Sequence, residues 1–381
     1  MGRMRRAQIE VVLFDFDGTL TRPGVLDFAR IREEMGCPPE TGILRFIESR
    51  KTDAERATAE EILLNHERRA AAGSKPNEAA EETVTRLHHS GLRIGILTRN
   101  TRASVERAFE NFEHLGFDWF ELVITRDEGE PLKPDPGSVL EAARRFGLDP
   151  EALLMVGDYR HDIDAGREAG SWTALITGED EPEWLEEVRA DYVIRSLEEL
   201  PGILRWHRPL SEGKLPNDML EELLSGAAPG REETAAGGAG RSATKAADQP
   251  IAGAAPGTEA AGGEAEAAES PRGAAARETH PDEELLIPPG VGEDVAAISA
   301  EGFEVLIAKS DPITFPTPHI GSHTITINTN DVLCSGGVPR WFLATAIFPP
   351  GTTGYEIREV YRDMLDAASR IGVTVVGGHT E

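Results

Sequence analysis

Cysteine is scarce in this chain of 381 residues, which contains only Cys37 and Cys334. Two cysteines so far apart exclude the disulfide framework that stabilises many small secreted proteins. Long apolar runs are also lacking. None approaches the roughly 18–20 residues of a membrane-spanning helix, and only a short apolar stretch follows the basic start. We therefore expect a protein of the reducing cytoplasm with no membrane partner.

Positive charge is in short supply. Lysine and arginine number 39 and aspartate and glutamate 67, which gives a net charge of −28. So acidic a chain lacks the basic face that general nucleic-acid binding requires, and we expect no nucleic-acid partner. Phosphorylated small molecules are not excluded, because a bound metal ion can supply local positive charge.

Aromatic and large aliphatic residues are nearly missing from one long segment. Between residues 225 and 280 there is no aromatic residue, and Ile251 is the one large aliphatic. Such a composition cannot bury enough apolar surface to offset the entropy lost on ordering the chain. We predict a disordered linker rich in alanine and glycine at 225–280, with an interaction tail as the alternative. The chain length predicts two or three units in all.

The segment before this linker alternates strands with helices. Apolar runs predict strands at 8–14, 93–97, 122–125, 153–156, 173–176 and 191–194, and helical patterns occupy 101–115, 136–146 and 162–169. The alternation predicts an α/β domain at 7–205 with a Rossmann-like parallel sheet covered by helices. Residues 22–88 interrupt it, because they are charged and mostly helical.

Globular composition returns after residue 281. We predict strands at 305–308, 341–348 and 373–376, a helix at 355–370, and a segment at 324–327 that leads into a helix near Val332. This pattern predicts a second domain of the α+β class. The chain ends three residues after Gly378, directly behind a strand and a glycine pair, which indicates a domain that stops before it is complete.

Two acidic residues follow the first strand. Asp15 and Asp17 stand where the strand ends, and Gly18 lets the backbone turn so that both carboxylates can reach one crevice. One carboxylate can act as a nucleophile while the other transfers protons, if their environments differ. A lone pair of this spacing is more often a solvated acidic turn, so the other strand ends decide the interpretation.

Those strand ends carry matching chemistry. The second strand ends in Thr98, Arg99 and Asn100, whose hydroxyl and N–H groups suit phosphate oxygens. Lys133, one of only six lysines in the chain, precedes a helix and can serve as a point charge for a phosphoryl group. The fourth predicted strand is followed by two carboxylates, those of Asp158 and Asp162, which suit Mg²⁺.

The four strand ends together resemble the haloacid dehalogenase-type phosphohydrolase family. The match covers all four motifs of that family in order: Asp15 with Asp17, Thr98, Lys133, and Asp158 with Asp162. The resemblance implies that Asp15 attacks phosphorus to form an aspartyl-phosphate, and that Asp17 protonates the leaving oxygen and later activates water. It also implies that Thr98 and Lys133 hold the phosphoryl oxygens.

The resemblance further implies a Mg²⁺ site. The ion would lie between Asp15, the backbone carbonyl of Asp17 and Asp158, with Asp162 in support. Residues 21–87 correspond to the family's helical cap, which covers the substrate and sets specificity. The cap cations Arg45, Arg50, Lys51, Arg56 and Arg68 are candidate anion contacts, although solvated helix faces are their commoner role. Similarity to the phosphoglycolate phosphatase-like branch implies a small phosphate monoester as substrate.

The second domain carries acidic, glycine-rich turns. The sequences GEDVA at 292–296, KSDPIT at 309–314, NDV at 330–332 and GGHTE at 377–381 resemble the amino-terminal domain of the aminoimidazole ribonucleotide synthetase-related superfamily, closest to its hydrogenase-maturation type. The resemblance implies Asp294, Asp311 and Asp331 as ligands of Mg²⁺–ATP and Lys309 as a phosphate contact. It places residues 211–224 together with 281–381 in this domain.

Two functions follow from these resemblances. The leading one is Mg²⁺-dependent hydrolysis of a small phosphorylated metabolite by residues 7–205. The alternative is an ATP-binding, dimerising, synthetase-like or maturation-type protein in which the hydrolase part is an accessory. In either case the resemblance implies that the second domain can support a homodimer.

Overall fold

The computed structural model describes residues 8–24, 26–128, 131–178, 182–211, 215–225, 285–287, 297–298, 305–314, 317 and 319–381. The predicted linker at 225–280 lies outside these residues except for Ser225, and so does Asp294. No helix within the described ranges is long and apolar enough to cross a membrane.

The first part of the chain is built on a six-stranded parallel sheet. Its strands are β1 (Val11–Phe14), β2 (Arg93–Leu97), β3 (Leu122–Ile124), β4 (Leu153–Gly157), β5 (Trp172–Ile176) and β6 (Tyr192–Ile194). Their order is β3-β2-β1-β4-β5-β6, and each neighbouring pair is parallel. This confirms the predicted α/β architecture, and all six strands lie where the apolar runs predict them.

Helices cover both faces of this sheet. They are α4 (Ala80–His89), α5 (Arg102–Phe109), α6 (Gly137–Phe146), α7 (Arg160–Ala169) and α8 (Leu200–Trp206), and the helices of the cap precede them in the chain. The central strand β1 is buried on both sides. Val12 and Phe14 join one apolar cluster, while Val11 and Leu13 join the other. Alternate side chains of a strand point to opposite faces, which is why a continuous apolar run is required here.

The cap consists of α1 (Phe28–Met35), α2 (Ile43–Glu48) and α3 (Asp53–Gly73). It has its own small core, formed by Ile31, Ile43, Ile47, Ala59 and Leu63. Two adjacent segments join it to the sheet domain, and they pair through a bridge between Thr21 and Pro76. The predicted range of 21–87 is too long, because the apolar face of α4 packs into the cluster that covers β1 rather than onto the cap.

The described part of the second domain contains α9 (Asn217–Ser225), β7 (Leu285–Ile287), β8 (Ala297–Ile298), α10 (Ile320–Cys334), β9 (Trp341–Ala346), α11 (Gly354–Arg370) and β10 (Thr374–Thr380). Strands β9 and β10 form a parallel pair. One apolar cluster contains Leu215, Met219 and Leu223 from around α9 together with Ile325 of α10 and Ile357 of α11. Helix α9 therefore packs with the residues that follow 281.

One predicted strand is wrong. Residues 305–308 have irregular backbone, and Val305 and Leu306 are 75% and 61% exposed. A strand needs a hydrogen-bonded neighbour, and the described residues supply none for this segment. The stretch at 324–327 is already helical, since α10 begins at Ile320.

Candidate active site

The end of β1 places the two predicted catalytic carboxylates. The Asp15 N–H donates to the carbonyl of Val156 on β4 at 2.8 Å, which holds the strand in register up to its last residue. The chain then turns at Gly18, whose φ of +79° favours glycine. A Cβ atom on Gly18 would collide with the carboxylate of Asp158, so glycine also allows this close approach.

Lys133 lies at the centre of the charge arrangement. Its ammonium nitrogen is 2.5 Å from Oδ1 of Asp15 and 2.6 Å from Oδ1 of Asp162, and it donates to the carbonyl of Leu97 at 2.7 Å. An ammonium has three N–H donors, so these acceptors use all of them. Burial alone lowers the pKa of Lys133, but the two carboxylates raise it above its ordinary value. Lys133 is therefore a permanent cation that screens Asp15 and Asp162.

Asp17 has a different partner from Asp15. The side-chain amide of Asn100 donates to Oδ2 of Asp17 at 2.7 Å. Burial, together with the charge of Asp15, raises the pKa of Asp17 to about 7. A carboxyl group with this pKa can give and take a proton near neutral pH. We predict from sequence that Asn100 contacts phosphate, but in the structure its amide orients Asp17.

Thr98 forms part of the floor of the crevice. Its side chain is only 3% exposed, and its N–H donates to the carbonyl of Ile124 on β3 at 3.0 Å. The hydroxyl oxygen accepts from the N–H of Asn100 at 3.1 Å, and its hydrogen has no acceptor among the described residues. That hydroxyl hydrogen is thus available to an oxygen of a bound ligand.

Three carboxylates form the candidate metal site. Asp15, Asp158 and Asp162 each offer an oxygen within 4.8 Å of the others. Burial and the neighbouring carboxylates raise the pKa of Asp158 to about 8, and burial raises that of Asp15 to about 6 against the effect of Lys133. A cation would offset this repulsion, and an oxygen-only donor set suits Mg²⁺.

Asp162 differs from the other two carboxylates. One of its oxygens pairs with Lys133, and the other accepts from the N–H of Tyr159 at 3.1 Å, where it caps α7. Asp15 and Asp158 therefore remain as the side chains best placed to bind an ion directly. Asp162 fits the supporting position that the family resemblance implies.

Arg99 reaches across the crevice. Its guanidinium Nη1 lies 3.0 Å from Nδ1 of His161 in the first turn of α7. Burial lowers the pKa of Arg99, while the charges of Asp15 and Asp162 act in the opposite direction. Burial and then Arg99 lower the pKa of His161 to about 4, so its imidazole is neutral at pH 7 and accepts the hydrogen bond.

The cap contacts the core through a buried ion pair. Glu67 of α3 is 4% exposed and accepts two hydrogen bonds from the guanidinium of Arg126, at 2.5 and 2.8 Å. Arg126 also donates to the carbonyl of Arg99 at 3.3 Å. Beside this pair, a cavity of about 10 Å³ separates Asp17 from the cap. That volume holds roughly one water molecule, so little free space remains between the cap and Asp17.

The sequence does not single out Glu67, Arg126 or His161. A glutamate on a charged helix has no local signal of burial, because its burial depends on how the cap docks. The cap cations behave as solvated residues: Arg50 packs on Phe46, Arg56 lies 3.6 Å from Asp53, and Arg45 and Lys51 are exposed. Arg68 donates to Asn65 on its own helix.

The second domain brings three of its four predicted residues together. Lys309 lies 2.7 Å from Oδ2 of Asp331 and 3.4 Å from Oδ2 of Asp311. The hydrogen bond to Asp331 raises the pKa of Lys309. Asn328 donates to the carbonyl of Asp311 at 3.2 Å, which ties this loop to α10. Asp294, the fourth residue, lies outside the described residues.

Comparisons with known proteins agree with this geometry. Residues 12–176 match the model of the haloacid dehalogenase-like hydrolases, and residues 292–381 match the N-terminal domain of AIR synthase related proteins. An uncharacterized hydrolase of Saccharomyces cerevisiae is 32% identical over 169 residues, which are 44% of this chain and 77% of that protein. A pyrophosphatase PpaX of Bacillus cereus is 30% identical over 212 residues, 52% of this chain and 97% of that protein.

Solved structures resemble the same half of the chain. CbbY from Rhodobacter sphaeroides in complex with xylulose-1,5-bisphosphate has 22% identity and a TM-score of 0.42, covering 51% of this chain and 96% of its own. A hydrolase of Deinococcus radiodurans with bound phosphate and sodium has 22% identity and a TM-score of 0.39, covering 52% of this chain and 96% of its own.

The chain belongs to the haloacid dehalogenase-like hydrolases. It is an enzyme of the phosphatase type within that family, and it carries an AIR synthase-related domain in its carboxy-terminal part.

Proposed function

We propose that residues 7–205 hydrolyse a small phosphorylated metabolite with Mg²⁺ through an aspartyl-phosphate on Asp15. The observation that supports this most is the shared environment of Asp15, which lies beside Lys133 and within one oxygen cluster with Asp158 and Asp162. Phosphoryl transfer needs in-line positioning and charge neutralisation more than any other help from a protein. This cluster can provide both.

Each side chain has a distinct task in this proposal. A carboxylate oxygen of Asp15 forms a bond to phosphorus as the bond to the leaving oxygen breaks, and Asp17 donates the proton that this oxygen needs. Asp17 then removes a proton from water, which attacks phosphorus, releases inorganic phosphate and regenerates the carboxylate of Asp15. Asn100 holds Asp17 in the orientation that both steps use.

Mg²⁺, when bound, neutralises negative charge on the phosphoryl group. Asp15 and Asp158 would hold it, with Asp162 in support and the backbone carbonyl of Asp17 as the further ligand that the family resemblance implies. Thr98 is placed to donate to a phosphoryl oxygen. Burial raises the pKa of Asp15 to about 6, and the positive charge of Lys133 limits this rise, so that Asp15 is mostly ionised at pH 7 as the nucleophile requires.

The test is hydrolysis of a generic phosphate ester by the full chain in Mg²⁺. We expect Asp15→Asn to lose at least about 1,000-fold in kcat, because an amide oxygen is a poor nucleophile. Asp149→Asn is the matched control, since it removes an exposed carboxylate just before β4, at the opposite edge of the sheet. Full activity of Asp15→Asn would show that the nucleophile is wrongly assigned.

For the second domain we propose nucleotide binding with Mg²⁺ and homodimer formation as the alternative role. The supporting observation is the grouping of a cation with two carboxylates, because Lys309 and Asp311 of one irregular segment lie beside Asp331 of α10. Calorimetric titration of the full chain with Mg²⁺–ATP tests binding, and Lys309→Ala should weaken it. No heat from the unaltered chain, together with a monomeric elution volume, would contradict this role. For the protein as a whole, the two free cysteines Cys37 and Cys334 favour the cytoplasm as the location.

A further inference from the structure

We propose that Arg99 forms a subsite for a second anionic group of the substrate, separate from the phosphoryl group that is transferred. The preferred substrate is then a phosphate compound that carries another phosphoryl or a carboxylate a few atoms away. This inference rests on the phosphatase function proposed above and narrows its substrate class. It assigns to Arg99 a different role from that of Thr98.

The first argument is the path of the Arg99 side chain. Arg99 follows β2, and its partner His161 lies on α7, directly after β4. Strand β1 lies between β2 and β4 in the sheet. Neighbouring strands are about 4.8 Å apart, so the hydrogen-bonded pair spans roughly 10 Å across the carboxyl end of β1. That end carries Asp15, and the guanidinium is therefore held over the crevice.

The second argument concerns charge. The other cations near the crevice have carboxylate partners: Lys133 with Asp15 and Asp162, Arg126 with Glu67, Arg102 with Glu128, and Arg160 with Asp164. Arg99 instead binds an imidazole, and among the described residues no carboxylate oxygen lies within 4.0 Å of its guanidinium. A guanidinium has five N–H donors in a planar fork, and His161 takes one of them. The remaining donors suit an anion.

The third argument separates this subsite from the floor of the crevice. Thr98 and Lys133, which the family resemblance assigns to the transferred phosphoryl group, are each 3% exposed. The Arg99 side chain ends at His161, whose ring packs edge-on against Tyr159 at 4.9 Å. Tyr159 is 48% exposed and so lies at the mouth of the crevice. The guanidinium therefore meets the part of the substrate that extends outward.

Two contacts hold Arg99 in place. Its guanidinium donates to Nδ1 of His161 at 3.0 Å, and its backbone carbonyl accepts from Arg126 at 3.3 Å. A donor group that is already positioned loses little entropy when an anion binds. A substrate that lacks the second anion would leave these donors without a charged acceptor. We therefore expect the enzyme to favour the doubly anionic substrate by at least about 10-fold in kcat/KM.

The test compares substrates that differ only in the second anion. The full chain in Mg²⁺ is assayed with 2-phosphoglycolate and with ethyl phosphate, which replaces the carboxylate by a methyl group. Inorganic pyrophosphate is the third arm and shows whether a phosphoryl group serves better than a carboxylate. Each is measured with the unaltered chain, with Arg99→Gln, with Arg99→Lys, and with Arg69→Gln as a control that removes an exposed cap arginine.

We expect Arg99→Gln to lower kcat/KM at least about 10-fold for the doubly anionic substrates and less than about 3-fold for ethyl phosphate. For the doubly anionic substrates, the kcat/KM of Arg99→Lys should lie between those of Arg99→Gln and the unaltered chain. An ammonium keeps the positive charge but lacks the planar fork of N–H donors. Arg69→Gln should resemble the unaltered chain. Equal losses on all three substrates would place Arg99 on the transferred phosphoryl group and overturn the inference. So would an unaltered chain that shows no preference among the three.

Binding to Asp15→Asn provides a second measurement that does not depend on turnover. Titration calorimetry should show tighter binding of 2-phosphoglycolate than of ethyl phosphate, and Arg99→Gln in the same background should remove that difference. Equal affinities in the Asp15→Asn protein would contradict the subsite. Absence of hydrolysis in the unaltered chain would instead contradict the proposed phosphatase function, even if the binding difference is present.

Discussion

Asp15 and Asp17 are separated by one residue, yet their side chains have different partners. Lys133 pairs with Asp15, while the amide of Asn100 donates to Asp17. Burial raises the pKa of both carboxyl groups, but the charge of Lys133 acts against this rise at Asp15 and so favours the ionised form that a nucleophile requires. At Asp17 the charge of Asp15 adds to the effect of burial and the pKa reaches about 7, so this carboxyl can carry a proton near neutral pH. The proposed division of labour therefore depends on partners that come from the segment after β2 and from the segment before α6.

The three buried carboxyl groups of the site also predict how the free energy of unfolding depends on pH when no metal is bound. The folded-state pKa values of Asp15, Asp17 and Asp158 are raised to about 6, 7 and 8. A raised carboxyl pKa means that the folded state binds more protons than the unfolded state above pH 4. The stabilisation that these protonated carboxyl groups give is thus complete below about pH 4. It is lost as the pH rises through the folded-state values of about 6, 7 and 8. We expect the metal-free chain to lose stability from pH 5 to 8.

Asp158→Asn tests this directly. The amide removes one buried like charge, so the metal-free variant should be about 1–2 kcal/mol more stable than the unaltered chain at pH 8. At pH 5 the two should differ by less than about 0.5 kcal/mol. Urea unfolding with a chelator at both pH values gives the numbers. A variant that is less stable at pH 8 would contradict the electrostatic account of this cluster.

The residues at the strand ends are also those that sequence alone predicts best. All four motif positions converge in the structure, because parallel strands bring their carboxyl ends to one edge. The roles of Asn100 and Arg99 could not be assigned in this way. Which acceptor each side chain meets depends on neighbours more than 60 residues away, Asp17 for Asn100 and His161 for Arg99.

At the scale of elements, the buried ion pair between Glu67 and Arg126 helps to hold the cap against the core, together with Ala71 of α3, which joins the core's apolar cluster. Breaking a buried pair leaves the other charge without a partner, which costs about 3–5 kcal/mol. We expect Glu67→Gln to lower the free energy of unfolding by roughly this amount, because Arg126 keeps its charge. Glu61→Gln, an exposed change on the same helix, should have an effect within about 0.5 kcal/mol.

Urea unfolding compares these two variants, and hydrogen exchange along α3 shows whether the cap itself loosens. Faster exchange in α3 with unchanged exchange in β1 is the expected pattern for Glu67→Gln. Equal unfolding midpoints for Glu67→Gln and the unaltered chain would mean that the pair does not hold the cap.

Elements with strong periodic patterns follow the sequence closely. Helix α11 begins one residue before the predicted start and ends at the predicted residue, and β9 begins where predicted. The strand predicted at 305–308 is wrong because a short apolar run forms a strand only where a partner strand is available. The predicted cap extends too far because α4 is as charged as the cap helices, and only its apolar face places it on the sheet.

At the scale of the whole molecule, the two parts meet through an aromatic contact. Tyr355 of α11 stacks on His207 at 5.0 Å and packs edge-on against Trp172 at 4.9 Å. The N–H of Leu210 donates to the carbonyl of Thr352 at 3.0 Å beside it. Trp172 is the first residue of β5, so this contact lies at the edge of the sheet opposite to Asp15.

Because this contact is far from Asp15, we predict that its loss lowers the stability of the protein without changing its activity. Tyr355→Ala should lower the free energy of unfolding by about 2 kcal/mol or more, since it leaves a cavity between rings. It should leave kcat/KM for a phosphate ester unchanged, because the contact is far from the catalytic edge. Phe28→Ala, which removes a ring that is 52% exposed, is the control for aromatic loss. Loss of activity in a folded Tyr355→Ala protein would show that the second domain acts on the site.

The central claim is that Asp15 carries the phosphoryl group during turnover. Rapid quenching of the full chain with Mg²⁺ and a good phosphate ester substrate, followed by peptide mass analysis, tests it most directly. The account predicts a phosphorylated peptide that contains Asp15 in the unaltered chain and none in Asp15→Asn. Rapid turnover without phosphorylation at this residue, or phosphorylation at another residue, would contradict it.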